Sequence, residues 1–128
     1  MHVAVICTAL LGLLVFGLGF AVSMARGSTK TNFGFTPDPT DVLYKRVRAH
    51  GNAAEYCPML AILMLVIAAR EPATWMVWTF VAATVFRYLQ AAGMLMSPSL
   101  ARPQPLRFIG SLGTYLSGFA LVVAALTV

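Results

Sequence analysis

The chain has 128 residues, of which 59% are hydrophobic and only 10% charged, and its formal net charge is +5. A globular domain in water carries charge on about a quarter of its residues, so this composition excludes an ordinary soluble domain. Four membrane spans of about 20 residues use nearly the whole length and leave no room for a separate soluble catalytic domain. The basic residues form no continuous stripe, so we expect no nucleic acid partner.

The first predicted element is an apolar helix over residues 3–25, which meets no charge before Arg26. It is long enough to cross a bilayer. Its length and the absence of a basic residue ahead of the apolar run favour a retained helix over a cleaved signal peptide. Residues 26–41 are rich in glycine, proline and small polar residues, a composition typical of a loop.

Three further helices are predicted downstream of this loop. The second covers residues 42–69 and is capped by Thr40 or Asp41, and the third covers residues 73–96 and ends before Pro98. The fourth covers residues 105–127, with Pro105 in its first turn. The sequence therefore predicts an all-α membrane protein, with residues 1–128 forming a single four-transmembrane-helix bundle.

Basic residues are concentrated in the loops after the first and third helices and at the adjoining helix ends. The opposite side has only Arg70, whereas this side has Arg26, Lys30, Lys45, Arg46, Arg48, Arg102 and Arg107. Cytoplasmic loops of membrane proteins carry an excess of lysine and arginine. We therefore expect a multi-pass protein whose two basic loops face the cytoplasm and whose termini both lie outside it.

A polar face on the second helix is the most informative feature of the sequence. Arg48, Asn52 and Glu55 stand at positions i, i+4 and i+7, which places them on one side of a helix. A carboxylate within a membrane helix is energetically costly and usually functional. The alternative is a structural role, because membrane bundles also use polar side chains to hold helices together.

The third and fourth helices carry further polar groups at a similar depth. Arg87 lies about 14 Å before the predicted end of the third helix, and we expect it to pair with Glu55 or with a zwitterionic ligand. On the fourth helix, Arg107, Ser111 and Tyr115 follow an i, i+4, i+8 spacing. Three helices are thus predicted to direct polar groups toward one layer.

The segment that contains this polar face resembles a family signature. It reads Arg48-Ala49-His50-Gly51-Asn52-Ala53-Ala54-Glu55-Tyr56-Cys57-Pro58. This is similar to the R-A-x-x-N-x-x-E-x-x-P pattern at the start of the second helix in the MAPEG family, the membrane-associated proteins in eicosanoid and glutathione metabolism. The H-G-N-A-x-E-Y portion is most similar to the family's bacterial branch, which implies a bacterial inner membrane.

The resemblance implies a homotrimer that holds glutathione, as cosubstrate, between neighbouring subunits near the cytoplasmic side. Carried over by position, Arg48 and Asn52 would bind the carboxylate and backbone groups of glutathione, and Glu55 would receive its amino group. Tyr56 and Tyr88 would line the pocket.

The resemblance also implies roles for three more arginines, Arg26, Arg87 and Arg107. Arg26 stands where the family often has a carboxylate-binding arginine. An arginine near the sulfur would stabilise the thiolate, and Arg107 and Arg87 are the candidates for this catalytic role. The implied activity is glutathione transfer to lipophilic electrophiles, or reduction of lipid hydroperoxides, with an acceptor that enters from the bilayer. No second histidine or cysteine stands at ligand spacing, so we expect no metal site.

Two alternatives remain. The eicosanoid enzymes usually have a tyrosine several residues beyond the third-helix arginine, where this chain reads Ala91-Ala92-Gly93-Met94. This departure leaves open a non-catalytic relative that binds a small anion or acts as a scaffold. Small multidrug exporters are also four-helix chains of about this length, but their glutamate lies in the first helix, where this chain has no charge before Arg26.

Overall fold

The computed structural model describes residues 1–128 and consists of four helices joined by loops. They are α1 (His2–Thr29), α2 (Val42–Ala68), α3 (Thr74–Met96) and α4 (Pro105–Thr127). The first helix continues beyond its predicted end at residue 25, and the hydroxyl groups of Ser28 and Thr29 donate to the carbonyl of Ala25 in its last turn. Lys30 then ends the helix in the left-handed conformation, with φ of 53°.

Side-chain caps define the starts of α2 and α4. The carboxylate of Asp41 accepts a hydrogen bond of 2.9 Å from the backbone N–H of Tyr44. The side-chain oxygen of Gln104 accepts one of 2.7 Å from the N–H of Arg107, and Pro105 occupies the first turn of α4. Each cap satisfies an N–H group that the helix itself leaves unpaired.

The loops after α1 and α3 lie together at one end of the bundle. The N–H of Leu100 donates to the carbonyl of Pro39 over 2.9 Å, which joins the two basic loops directly. Within the first loop, the N–H and hydroxyl of Thr40 both bind Asp38 and hold the pKa of its carboxyl below its usual range. The concentration of basic residues therefore falls on a single end of the molecule.

The helices pack unequally. Contact is most extensive between α3 and α4 and between α1 and α2, whereas α1 and α4 do not contact each other. We call the α3–α4 contact the glycine seam, because Gly93, Gly110 and Gly113 let the two helices approach closely. A Cβ atom on Gly110 would collide with the backbone of Gln90. Small residues at such positions are typical of helix contacts in membranes.

The apolar surface of the bundle is that of a membrane protein. Large side chains such as Phe16, Phe20 and Phe119 are mostly exposed, as expected where lipid replaces water. α1, α2 and α4 are long and apolar enough to cross a membrane. α3 has 23 residues and carries Arg87 and Gln90 among its buried side chains. The predicted fold class, an all-α four-helix membrane bundle, is confirmed.

Candidate functional site

Arg87 is the centre of a buried group of polar side chains. It is only 1% exposed, and its guanidinium donates to the side-chain oxygen of Asn52 on α2 and, over 3.3 Å, to the hydroxyl of Thr114 on α4. The Nε atom is also buried and has no hydrogen-bond partner within the subunit. One arginine therefore links three helices and retains an unused donor.

Two tyrosines extend this group toward the surface. The guanidinium carbon of Arg87 lies 5.0 Å from the centre of the Tyr56 ring, within the range of a cation–π interaction. The hydroxyl of Tyr56 is hydrogen-bonded to that of Tyr115 over 2.9 Å, and the two rings meet edge to face. We call Arg87, Asn52, Thr114, Tyr56 and Tyr115 the polar layer.

The predicted pairing of Arg87 with Glu55 is not seen within the subunit, because the hydrogen bonds of Arg87 go to Asn52 and Thr114. The reason is the rotation of α2. At about 100° per residue, Tyr56 lies about 40° to one side of Asn52 and Glu55 about 60° to the other. Asn52 and Tyr56 thus face α3, and Glu55 turns away from it.

Glu55 and Arg48 are both exposed on this subunit. They lie seven residues apart on α2 and therefore on nearly the same side of the helix. Half-buried Asn52 stands between them and connects this side to the polar layer. The surface of α2 thus offers one cation and one anion next to a buried guanidinium.

Three spaces lie at or beside the polar layer. A cavity of about 20 Å³ is lined by Asn52, Tyr56, Arg87, Ser111, Thr114 and Tyr115. Three of these residues, Tyr56, Thr114 and Tyr115, also line a largely apolar groove of about 400 Å³ between α2 and α4. Ser111 also lines a recess of about 710 Å³ at the loop before α4. Ser111 thus connects the small cavity to the recess at the basic end, and the two tyrosines and Thr114 connect it to the groove, here called the α2–α4 groove, whose lining also includes Glu55.

Besides Arg48 and Glu55, three more predicted site residues lie outside the polar layer. Arg26 donates to the carbonyls of Gly34 and Thr31, at 2.7 and 3.4 Å, and so holds the first loop. The hydroxyl of Tyr88 donates to the carbonyl of Leu10 on α1 over 2.7 Å. Arg107 donates over 3.1 Å to the carbonyls of Leu100 and Arg102, and it lines the recess.

Sequence reasoning missed Thr114 as a member of the site. From Arg107, Tyr115 lies about 80° around the helix, whereas Thr114, at i+7, lies only about 20° away. Arg107, Ser111 and Thr114 repeat the i, i+4, i+7 spacing of the polar face on α2. That shared spacing was the signal for Thr114 in the sequence.

The chain matches a known protein family along nearly its whole length. The sequence model of the MAPEG family matches residues 4–127 of the 128-residue chain. The chain belongs to the MAPEG family. The match includes the whole α2 signature and the other helices that supply the polar layer. No curated protein matches the chain in sequence. This MAPEG protein is thus a membrane protein of a family associated with glutathione and eicosanoid metabolism.

Proposed function

We propose that this MAPEG protein is a homotrimeric membrane enzyme that binds glutathione between subunits and presents its thiol to lipophilic electrophiles or lipid hydroperoxides. The observation that carries the proposal is the exposure of Arg48 and Glu55 beside the buried Arg87. Exposed charge is costly at hydrocarbon depth, and Glu55 lies about 20 Å along α2 from its start. A second subunit together with a charged ligand would remove that cost.

The charges of this region complement those of glutathione. The tripeptide has two carboxylates, one ammonium group and one thiol, so its site requires cations, one carboxylate and a donor for the thiolate. Arg48 would bind a carboxylate, Asn52 a backbone group and Glu55 the ammonium. Tyr56 and Tyr88 would line the pocket, with Arg26 of a neighbouring subunit as a further carboxylate ligand.

The thiolate donor would be Arg87 or Arg107. A guanidinium stabilises a thiolate and so lowers the pKa of the thiol. Arg87 retains a buried Nε–H without a partner, which supports it as a donor. Arg107 lines the open recess, which supports an approach of the ligand from the basic end. The apolar α2–α4 groove would receive the lipophilic acceptor.

The orientation of the chain is part of the proposal. The two basic loops, joined through Leu100 and Pro39, would face the cytoplasm of a bacterial cell and supply access to cytoplasmic glutathione. Both termini would then lie outside the cytoplasm. Labelling of single cysteines placed at the two ends of the bundle in intact cells tests this arrangement.

The first experiment is titration of the detergent-purified protein with glutathione, followed by calorimetry and by the ultraviolet absorption of the thiolate near neutral pH. Saturable binding with a thiolate band supports a glutathione-activating enzyme. Absence of binding refutes the glutathione proposal. Native mass spectrometry of the same sample measures the number of subunits, and a monomer refutes the intersubunit site.

Glu55→Gln is the decisive variant. Loss of the ion pair with the ammonium group is expected to weaken glutathione binding about 30-fold or more, while the bundle stays folded. The matched control is Glu71→Gln, which removes the same charge from the opposite end and leaves binding unchanged. Collapse of the fold in Glu55→Gln alone would instead support a structural role for this carboxylate.

A non-catalytic glutathione-binding protein is the second candidate. Two observations favour it: Arg107 is already bound to two loop carbonyls, and Ala91-Ala92-Gly93-Met94 replaces the segment where eicosanoid enzymes usually have a tyrosine. Saturable binding without a thiolate band would identify this case.

A further inference from the structure

A second groove lies at the basic end of the bundle, away from the polar layer. It has a volume of about 440 Å³, and its apolar part is formed by Phe20 and Met24 of α1, Val42 of α2 and Leu95 of α3. Ala21 of α1 and the two basic residues Lys45 and Arg46 of α2 complete its lining. The groove therefore combines an apolar surface with two cations.

The two cations are held apart across the groove. Lys45 donates over 3.1 Å to the carbonyl of Ser97 at the end of α3, and Arg46 donates over 2.9 Å to the carbonyl of Ala21 on α1. Their position as neighbours on a helix, about 100° apart, explains why they reach different helices. Each of these hydrogen bonds uses a single N–H donor. The lysine side chain has three such donors and the arginine side chain has five.

No carboxylate belongs to the lining of this groove. The two carboxylates of the nearby loop are engaged elsewhere, since Asp38 binds Thr40 and Asp41 caps α2. Both cations of the groove thus bind neutral carbonyls and leave their charge without a counter-ion. The charge that would complement this site is an anion placed above an apolar chain.

We propose that this groove binds an anionic phospholipid, with its phosphate between Lys45 and Arg46 and its acyl chain along Phe20, Met24, Val42 and Leu95. Basic pockets between helices at the membrane surface recognise anionic headgroups in this way. The groove lies at the first turns of α2 and the last turns of α1 and α3, which is the level of the headgroups. It opens away from Arg48, which lies about 200° around α2 from Arg46.

Binding of phosphatidylglycerol to the detergent-purified protein, followed by native mass spectrometry, tests the proposal. Phosphatidylcholine with the same acyl chains is the neutral comparison. The Lys45→Gln/Arg46→Gln protein is expected to bind phosphatidylglycerol about 30-fold more weakly, at about fivefold per charge, with phosphatidylcholine binding unchanged. The matched control, Lys30→Gln/Arg102→Gln, loses two basic residues of the same end outside the groove and retains its phosphatidylglycerol affinity.

Three outcomes would overturn the proposal. Equal weakening in both double variants would mean that general positive charge attracts the lipid. Displacement of phosphatidylglycerol by an equal concentration of inorganic phosphate would identify a free-anion site without lipid selectivity. Failure of phosphatidylglycerol to bind, with cross-linking between copies through a cysteine placed at Met24, would identify a second subunit as the occupant.

A further variant tests the apolar part and does not depend on the folding of the double variant. Val42→Trp fills the groove and keeps both cations, so it is expected to lower phosphatidylglycerol affinity while circular dichroism stays unchanged. Unchanged affinity in this variant would show that the apolar surface does not hold the lipid and would overturn the proposal.

Discussion

The glycine seam and the α2–α4 groove are two surfaces of the same helix, α4, and they are built in opposite ways. At the seam, Gly93, Gly110 and Gly113 bring α4 against α3 until backbone and ring atoms touch. At the groove, α4 stands away from α2, and Gly118 has only Leu60 within 4 Å of the place of a Cβ atom. The difference indicates that the seam sets the separation of α3 and α4, across which Arg87 binds Thr114, whereas the groove leaves an open space of about 400 Å³.

The largest expected effect comes from filling the seam. In Gly110→Ala, the new Cβ atom collides with the backbone of Gln90, so the free energy of unfolding is expected to fall by about 3 kcal/mol. Gly118→Ala is the matched control: its Cβ atom would lie 3.9 Å from Leu60, an ordinary contact, and stability is expected to stay within about 0.5 kcal/mol. Denaturation in detergent measures both. Equal losses would contradict the distinction between the two surfaces.

A smaller loss of stability is expected from a substitution in the polar layer, which joins the glycine seam to the α2–α4 groove. Arg87→Met removes the donor to Asn52, whose side-chain oxygen is then unpaired, and the expected loss is about 2 kcal/mol. Thr114 keeps its own hydrogen bond to the carbonyl of Gly110.

The double variant Arg87→Met/Asn52→Leu isolates this interaction. Replacing both partners by apolar groups removes the unpaired oxygen, so most of the lost stability is expected to return. The double-mutant cycle is measured by unfolding in the same detergent. Simple addition of the two single losses would show that the Arg87–Asn52 contact between α3 and α2 contributes nothing to the stability of the bundle.

The smallest effect is expected at the edge of the groove. Tyr115→Phe removes the hydrogen bond to Tyr56, and because Tyr115 is half exposed, the expected loss is about 0.5–1 kcal/mol. Tyr44→Phe serves as the control, since the ring of Tyr44 keeps its edge-to-face contact with Phe35. A loss in Tyr115→Phe as large as that in Arg87→Met would mean that the contacts at the edge of the groove stabilise the bundle as much as the buried hydrogen bond of Arg87 does.

Capping residues and helical spacing in the sequence predicted where α2 starts. They also predicted some of the residues of the polar layer. A cap at Thr40 or Asp41 follows from the place of these residues ahead of the second helix, and the structure selects Asp41. The membership of Asn52 follows from its spacing on α2. The partner of Arg87 could not be predicted in the same way, because Asn52 and Glu55 share a helix face and differ by only about 60° of rotation. That rotation depends on how α2 packs against the other three helices.

By itself, the sequence determined that the protein is a four-helix membrane bundle with one basic end and a polar face on α2, because these depend on hydropathy, charge and helical periodicity. Tertiary structure alone decided that Arg87 binds Asn52 and Thr114, that Tyr88 turns to α1, and that Lys45 and Arg46 flank a groove. The physical reason is that a helix specifies which residues share a side, whereas the packing of neighbouring helices specifies which atoms that side meets.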